Sequence, residues 1–272
     1  MYGVVGIAYA SEETRRVCEE MDVGLVDLAG NCLLRFDDVY ISIEGRPNPF
    51  KESRTLRQPF SKKSSRCVRV LLYNPRGPWN PQTLAKAAGV SIGLSYRFVK
   101  ELAGRELLSY EDGGPQFVVP DPEKLQKEWA KGYNYRKNVA RDYYSPVDVA
   151  TNEARLADYC GDAGIRYALT LTSGAERLAP TLRYARMFAY VDADPDKTAQ
   201  ALGWKPAPTG ANVTLLTPYD EGVFYALQPV EGANVVCAPQ LYVDLASYKG
   251  RGEEAAEAVL TQVLYKLWNQ VR

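Results

Sequence analysis

Two pairs of carboxylates have the residue types and spacing to hold a divalent cation. Asp27 lies on one β-like run and Glu44 closes another, followed by Gly45-Arg46. Carboxylates at neighbouring strand ends bind Mg²⁺, and a lysine two positions on would assist an attacking water. Arg46 occupies that position, and its guanidinium stays charged and accepts no proton. Asp192 and Asp194 stand two apart in FAYVDAD, on one face of a strand, after a strand that ends in Leu171-Thr172-Ser173-Gly174. A Gly/Ser loop ahead of paired carboxylates suits a triphosphate and its Mg²⁺, with Asp244 in LYVDL an open candidate for the third carboxylate. The plainer reading makes Asp194-Pro195-Asp196 a turn with Asp194 capping the next helix.

Absences narrow the chemistry. The 272 residues contain no histidine, which removes imidazole bases and His-ligated metals. The five cysteines, Cys18, Cys32, Cys67, Cys160 and Cys237, form no CxxC pair and read as reduced core thiols. No catalytic residue and no cofactor is therefore expected. The start lacks the basic and long apolar regions of a signal peptide, and no apolar run approaches a membrane span, so the expected location is the cytoplasm.

The charge is zero in sum, 33 basic against 33 acidic side chains, yet segregated. Residues 46–105 carry thirteen basic side chains and only Glu52 and Glu101, net +11, between a segment at −6 (1–45) and, after a balanced stretch, one at −5 (142–272). A block of one sign is a candidate polyanion footprint. A solvated surface or an adaptor face for an acidic partner are the rivals.

Inside that block, LAKAAGVSIGLSYRFVKEL (84–102) has the spacing of two helices around a tight turn. Leu84, Ala85 and Ala88 give the first an apolar face, Gly89 supplies a left-handed turn, and Ser91 caps the second. Leu94, Phe98 and Leu102 point inward, leaving Ser91, Ile92, Gly93, Ser95, Tyr96, Arg97 and Lys100 for a major groove. Leu107-Leu108, the turn Asp112-Gly113-Gly114 and Gln116 to Val119 then read as a hairpin. Residues 66–120 resemble winged helix-turn-helix DNA-binding domains, with Lys62, Lys63 and Arg66 as flanking phosphate contacts. A helical hairpin that merely packs is the alternative.

The elements that must position these residues imply a multidomain α/β chain. Residues 1–46 form a short amino-terminal α/β segment: a helix capped by Ser11, then β-runs Val23–Leu28, Cys32–Phe36 and Val39–Ile43. Its Asp27 and Glu44 resemble a degenerate restriction-like nuclease scaffold. Residues 47–65, rich in Pro, Ser and basic side chains, read as a linker. Residues 66–142 hold the winged helix-turn-helix and a Tyr-rich connector, and 143–272 an α/β domain with strands near Tyr167–Leu171, Phe188–Val191, Val213–Leu216 and Asn234–Val236. That carboxy-terminal domain resembles nucleotidyltransferases at Asp192 and Asp194, with a metal-dependent transferase or nuclease as the enzymatic alternative.

Taken together, VGLVDLAGNCLLRFDDVYISIEGRPNPF, the helix pair, ANVTLLTPYDEGVFY (211–225) and QLYVDLASYKGRGEEAAEAVL (240–260) resemble the AbiEi family, antitoxins of type IV toxin–antitoxin systems. The resemblance implies a repressor that binds inverted repeats in double-stranded DNA of its own promoter. It also implies a nucleotidyltransferase-like carboxy-terminal domain that counters a nucleotidyltransferase-like toxin without a stable complex. Lys249 and Arg251, among glycines and beside a helix start, are candidates for a phosphate or antitoxin contact, or belong to an ordinary glycine turn.

Overall fold

The structure, a computed structural model, describes residues 2–49, 59–111, 114–180, 184–250 and 252–270. The chain divides into two compact units, Met1–Thr55 and Leu56–Arg272.

The first unit runs β1 (Val4–Ile7), α1 (Glu12–Glu20), β2 (Gly24–Asp27), β3 (Cys32–Phe36) and β4 (Val39–Ile43), in a sheet of that same order. The β1 strand pairs parallel to β2, so α1 is the crossover that a parallel neighbour requires. Ser11 caps α1, its hydroxyl accepting the Thr14 amide at 3.1 Å. Side chains alternate across β2 and β3, so Leu25 and Leu33 meet Cys18 of α1 in a small core with Ile7 and Ala10. The β1 strand was not expected. Its four residues are largely exposed and show no alternation to read.

The second unit opens with α2 (Ser64–Tyr73), α3 (Pro81–Ala88), α4 (Ile92–Gly104), the hairpin β5 (Ser109–Tyr110) and β6 (Phe117–Val118), and α5 (Pro122–Gly132). A 3₁₀ turn at Tyr135–Lys137 leads to β7 (Val139–Tyr144), α6 (Val149–Ala163), β8 (Tyr167–Leu169), α7 (Leu171–Leu178), β9 (Met187–Val191), α8 (Pro195–Ala201), β10 (Lys205–Pro206) and β11 (Val213–Thr217). A second 3₁₀ turn, Glu221–Phe224, precedes β12 (Gln228–Val230), β13 (Ala233–Val235), α9 (Ala238–Ala246) and α10 (Gly252–Val259). A π-helical turn at Leu260–Leu264 joins α10 to α11 (Tyr265–Gln270). None of the described helices is long and apolar enough to cross a membrane.

The seven-stranded sheet has the order β10-β7-β11-β9-β8-β13-β12, with β11 parallel to β9, β13 parallel to β8 and the other neighbours antiparallel. The period of two explains how it is covered on both faces. Met187, Ala189 and Val191 of β9 pack with Leu156 and Cys160 of α6, whereas Phe188 and Tyr190 enter the opposite cluster. That cluster also holds Leu72, Leu84, Phe98 and Trp129 of the preceding helices, Phe117 of β6, and Leu241 and Trp268 of the last helices. Residues 66–142 and 143–272 thus share one core.

Two stretches differ from expectation. Ser64 and Ser65, expected in the linker, are already helical, and the Tyr-rich connector ends in β7, an inner strand of the sheet. The described cysteines are all free, and burial pushes the Cys67 thiol up to about 12 and those of Cys160 and Cys237 up to about 11. Such thiols are poor nucleophiles, in line with packing roles.

Candidate nucleic-acid interface

The helix pair is built by local chemistry at its turns. Asn80 caps α3 by accepting the Gln82 and Thr83 amides, both at 2.9 Å, while the Thr83 hydroxyl accepts the Asn80 amide. Gly89 ends α3 at φ 61°, a left-handed value that costs glycine nothing. Ser91 then caps α4 through its hydroxyl and the Leu94 amide. The hairpin is short, and Trp79 bridges to Phe117 to fix it against the α2–α3 loop. Its expected tip, Asp112-Gly113, lies outside the described residues.

The buried stripe of α4 is Ser95, Phe98, Val99 and Leu102, a helical 0-3-4-7 spacing. Opposite it, Ile92, Gly93, Tyr96, Arg97 and Lys100 are exposed, Ile92 by 58% and Tyr96 by 60%. Ser95 corrects the expected outer face. It is fully buried because it lies three residues before Phe98 and four before Val99, and its hydroxyl meets no partner among the described residues. Leu94, expected inward, is only half-buried.

The basic block is less exposed than its charge count suggests. Arg69 is fully buried, its Nε donating to Gln240 at 2.6 Å, and its guanidinium lies 5.1 Å from the Trp129 ring centre. Arg66, expected as a flanking phosphate contact, is paired with two acids. Its guanidinium binds Asp220 at 2.7 Å and Glu221 at 3.1 Å, and the hydrogen bond to Asp220 is the main reason its pKa rises. Arg105 pairs with Glu101 at 2.8 Å. Lys62, Lys63, Arg76, Lys86, Arg97 and Lys100 are exposed and enter no ion pair among the described residues.

Each candidate carboxylate has a partner inside the protein. Asp27 accepts the Ala10 amide at 2.9 Å, the Asn31 amide at 2.8 Å and the Asn31 side-chain amide at 2.8 Å. Burial alone would raise its pKa, but these donors outweigh burial and hold it below the ordinary value. Glu44 is exposed and lies 3.4 Å from Arg15. Asp192 pairs with Arg166 at 2.6 Å, and Asp194 caps α8 through the Asp196 amide at 2.9 Å. Ser173 and Gly174 are enclosed rather than open as a phosphate loop would be. The Ser173 hydroxyl accepts the Phe188 amide, and a Cβ on Gly174 would stand 2.9 Å from Leu241. Among the described residues no three His, Cys, Asp or Glu side chains come together as a metal site.

Asp244 is fully buried at the centre of a polar network. Its Oδ1 accepts from Tyr133 at 2.6 Å, Gln240 at 2.9 Å and Tyr190 at 3.1 Å, and its Oδ2 from Thr170 at 2.6 Å. Burial is the largest influence and raises its pKa against the effect of these donors. Through Gln240 the network reaches Arg69, so α2, β9, α9 and Tyr133 just after α5 share one polar centre. Sequence reasoning missed it, although Gln240 and Asp244 are four apart on one helix face in QLYVD.

Lys249 is exposed beside Gly250, which has φ 89°, and Arg251 lies outside the described residues. Gly252 is needed for close packing, since a Cβ there would stand 2.4 Å from the Leu245 carbonyl oxygen. Residues 118–265 match a family described as "Transcriptional regulator, AbiEi antitoxin, Type IV TA system". The match covers more than half of the chain and begins in β6, so α2, α3 and α4 precede it. No curated protein and no solved structure matches.

Proposed function

The chain belongs to the AbiEi antitoxin family of transcriptional regulators of type IV toxin–antitoxin systems, and from that premise we propose that it is a DNA-binding repressor of its own promoter. In this reading α2, α3, α4 and the β5–β6 hairpin act as a winged helix-turn-helix. The observation that carries it is the outer face of α4, where Ile92, Tyr96, Arg97 and Lys100 stand exposed on a capped helix, together with exposed Lys62, Lys63 and Lys86. Arg97 and Tyr96 would reach base edges, Ile92 a thymine methyl, and the lysines phosphates. An inverted-repeat operator would need two such helices, one per copy.

The antitoxin role follows from the family and is proposed for Leu56–Arg272, with a nucleotidyltransferase-like toxin as the functional partner and no stable complex. The Asp192 and Asp194 pair does not favour a transferase reading, because one is held by Arg166 and the other by a helix start. The test is a reporter fused to the chain's own upstream DNA. Repression by the wild type, lost in Arg97→Ala and Lys100→Ala at equal protein level, supports the proposal. Equal reporter output with and without the protein rejects it.

A further inference from the structure

Beside the start of α2 lies a cleft of about 470 Å³, bordered by the end of α4, the end of α5 and Tyr219. Its size is in the range of small-molecule sites, and its walls are of two kinds. Three cations reach it from separate elements: Lys62 ahead of α2, Arg105 after α4 and Lys137 from the 3₁₀ turn. Lys62 and Lys137 are exposed and enter no ion pair among the described residues, and Arg105 uses Nε and Nη2 on Glu101. The one acidic wall residue, Glu128, is already held by Lys131. The cleft is therefore net positive.

The other wall is aromatic. Phe60 packs on the main core while facing the cleft. Tyr219 is anchored from behind, since its amide donates to Asn138 at 3.0 Å and Asn138 donates to Tyr190 at 3.1 Å, next to Asp244. A ligand that satisfies both walls carries at least two negative charges and a flat, weakly polar body. A free phosphate supplies only the first, and a neutral aromatic only the second.

We propose that this cleft binds a nucleoside phosphate, with its phosphates on Lys62, Arg105 and Lys137 and its base against Phe60 and Tyr219. Lys and Arg suit phosphate oxygens, and an aromatic face stacks on any base. The site is separate from the outer face of α4 and shares only Lys62 with the proposed DNA contacts, so Lys137 and Phe60 test it apart from the repressor reading.

The test is calorimetric titration of the full chain with ATP, GTP, CTP and UTP, with pyrophosphate, and with a short single-stranded oligonucleotide. At least one nucleotide should bind saturably below about 1 mM, and Lys137→Ala should weaken it about tenfold or more. Phe60→Leu, which keeps apolar packing but removes the ring, should weaken the nucleotide and leave pyrophosphate unchanged. Both variants should stay folded at the titration temperature and keep DNA affinity, and Lys137→Arg should bind as the wild type does. The proposal fails if no nucleotide binds by about 1 mM, if correctly folded Lys137→Ala binds like wild type, or if only the oligonucleotide binds. Equal loss of nucleotide and pyrophosphate in Phe60→Leu would contradict a base-stacking wall.

Discussion

Arg66 in the first turn of α2 forms a bidentate pair with Asp220, 154 positions later, through Nε at 2.8 Å and Nη2 at 2.7 Å. Asp220 is almost wholly buried and also accepts the Gly222 amide at 2.8 Å, so the pair fastens α2 to the loop after β11. Gly222 permits the approach, because a Cβ there would stand 2.9 Å from both Arg66 and Arg69.

Breaking this pair should cost stability rather than DNA contact. Asp220→Asn leaves Arg66 without its nearest charge, and an expected loss is about 2–3 kcal/mol, below the full buried-pair figure because Arg66 is partly solvated. Urea unfolding measures it. An unchanged midpoint would mean the pair contributes nothing net.

The two sides of α4 should respond differently. Phe98→Ala should destabilise by about 3–5 kcal/mol through its cavity, whereas Arg97→Ala should weaken DNA binding by about 1–3 kcal/mol with the fold intact. Ser95→Ala is the sharper variant. Its buried hydroxyl has no partner among the described residues, so removal should leave stability unchanged or raise it by up to about 1 kcal/mol, with DNA affinity within about twofold. A large affinity loss on Ser95→Ala with the fold preserved would return that residue to the DNA-facing side.

Asp244 gives a pH dependence of definite sign. Burial raises its pKa in the folded chain, so the native state holds the proton more tightly than the unfolded one. Its contribution is therefore fully present below the unfolded pKa and declines as pH rises through the folded one. Asp244→Asn should accordingly gain stability relative to wild type on going from about pH 4.5 to about pH 7. Melting temperatures at both pH values decide this, and a difference that is constant or reversed contradicts it.

Much of the helix pair was legible because its signals are local. Asn80, Gly89 and Ser91 each act within a few residues, and Leu84, Phe98 and Leu102 fix the inner side. Ser95 was misplaced because the stripe was read from Leu94 in steps of four, while a helix of 3.6 residues per turn buries 95, 98, 99 and 102. The pairs Arg66–Asp220 and Arg69–Gln240 could not be read at all. They join residues more than 150 positions apart, and each arginine looked like part of a free basic block. The α9 helix was missed for a related reason. Its residues are buried nearly all round, Gln240 and Asp244 included, so no exposed polar face sets the run apart as a helix.

The first unit should show no metal-dependent nuclease chemistry. Glu44→Ala should leave supercoiled DNA as intact with Mg²⁺ as wild type does, and Asp27→Ala should lower the melting temperature by removing the acceptor of three hydrogen bonds. Nicking by wild type that disappears in Glu44→Ala would overturn this.

The central claim is tested most directly by the salt dependence of binding to the chain's own upstream duplex, followed by fluorescence anisotropy. If about five of the six described cations of α2, α3, α4 and their flanks that enter no ion pair among the described residues neutralise phosphates, log K should fall against log salt with a slope near −4.5. Lys62→Ala with Lys63→Ala should make the slope shallower by about two. A flat response, or no binding at low salt, would contradict the DNA-binding account.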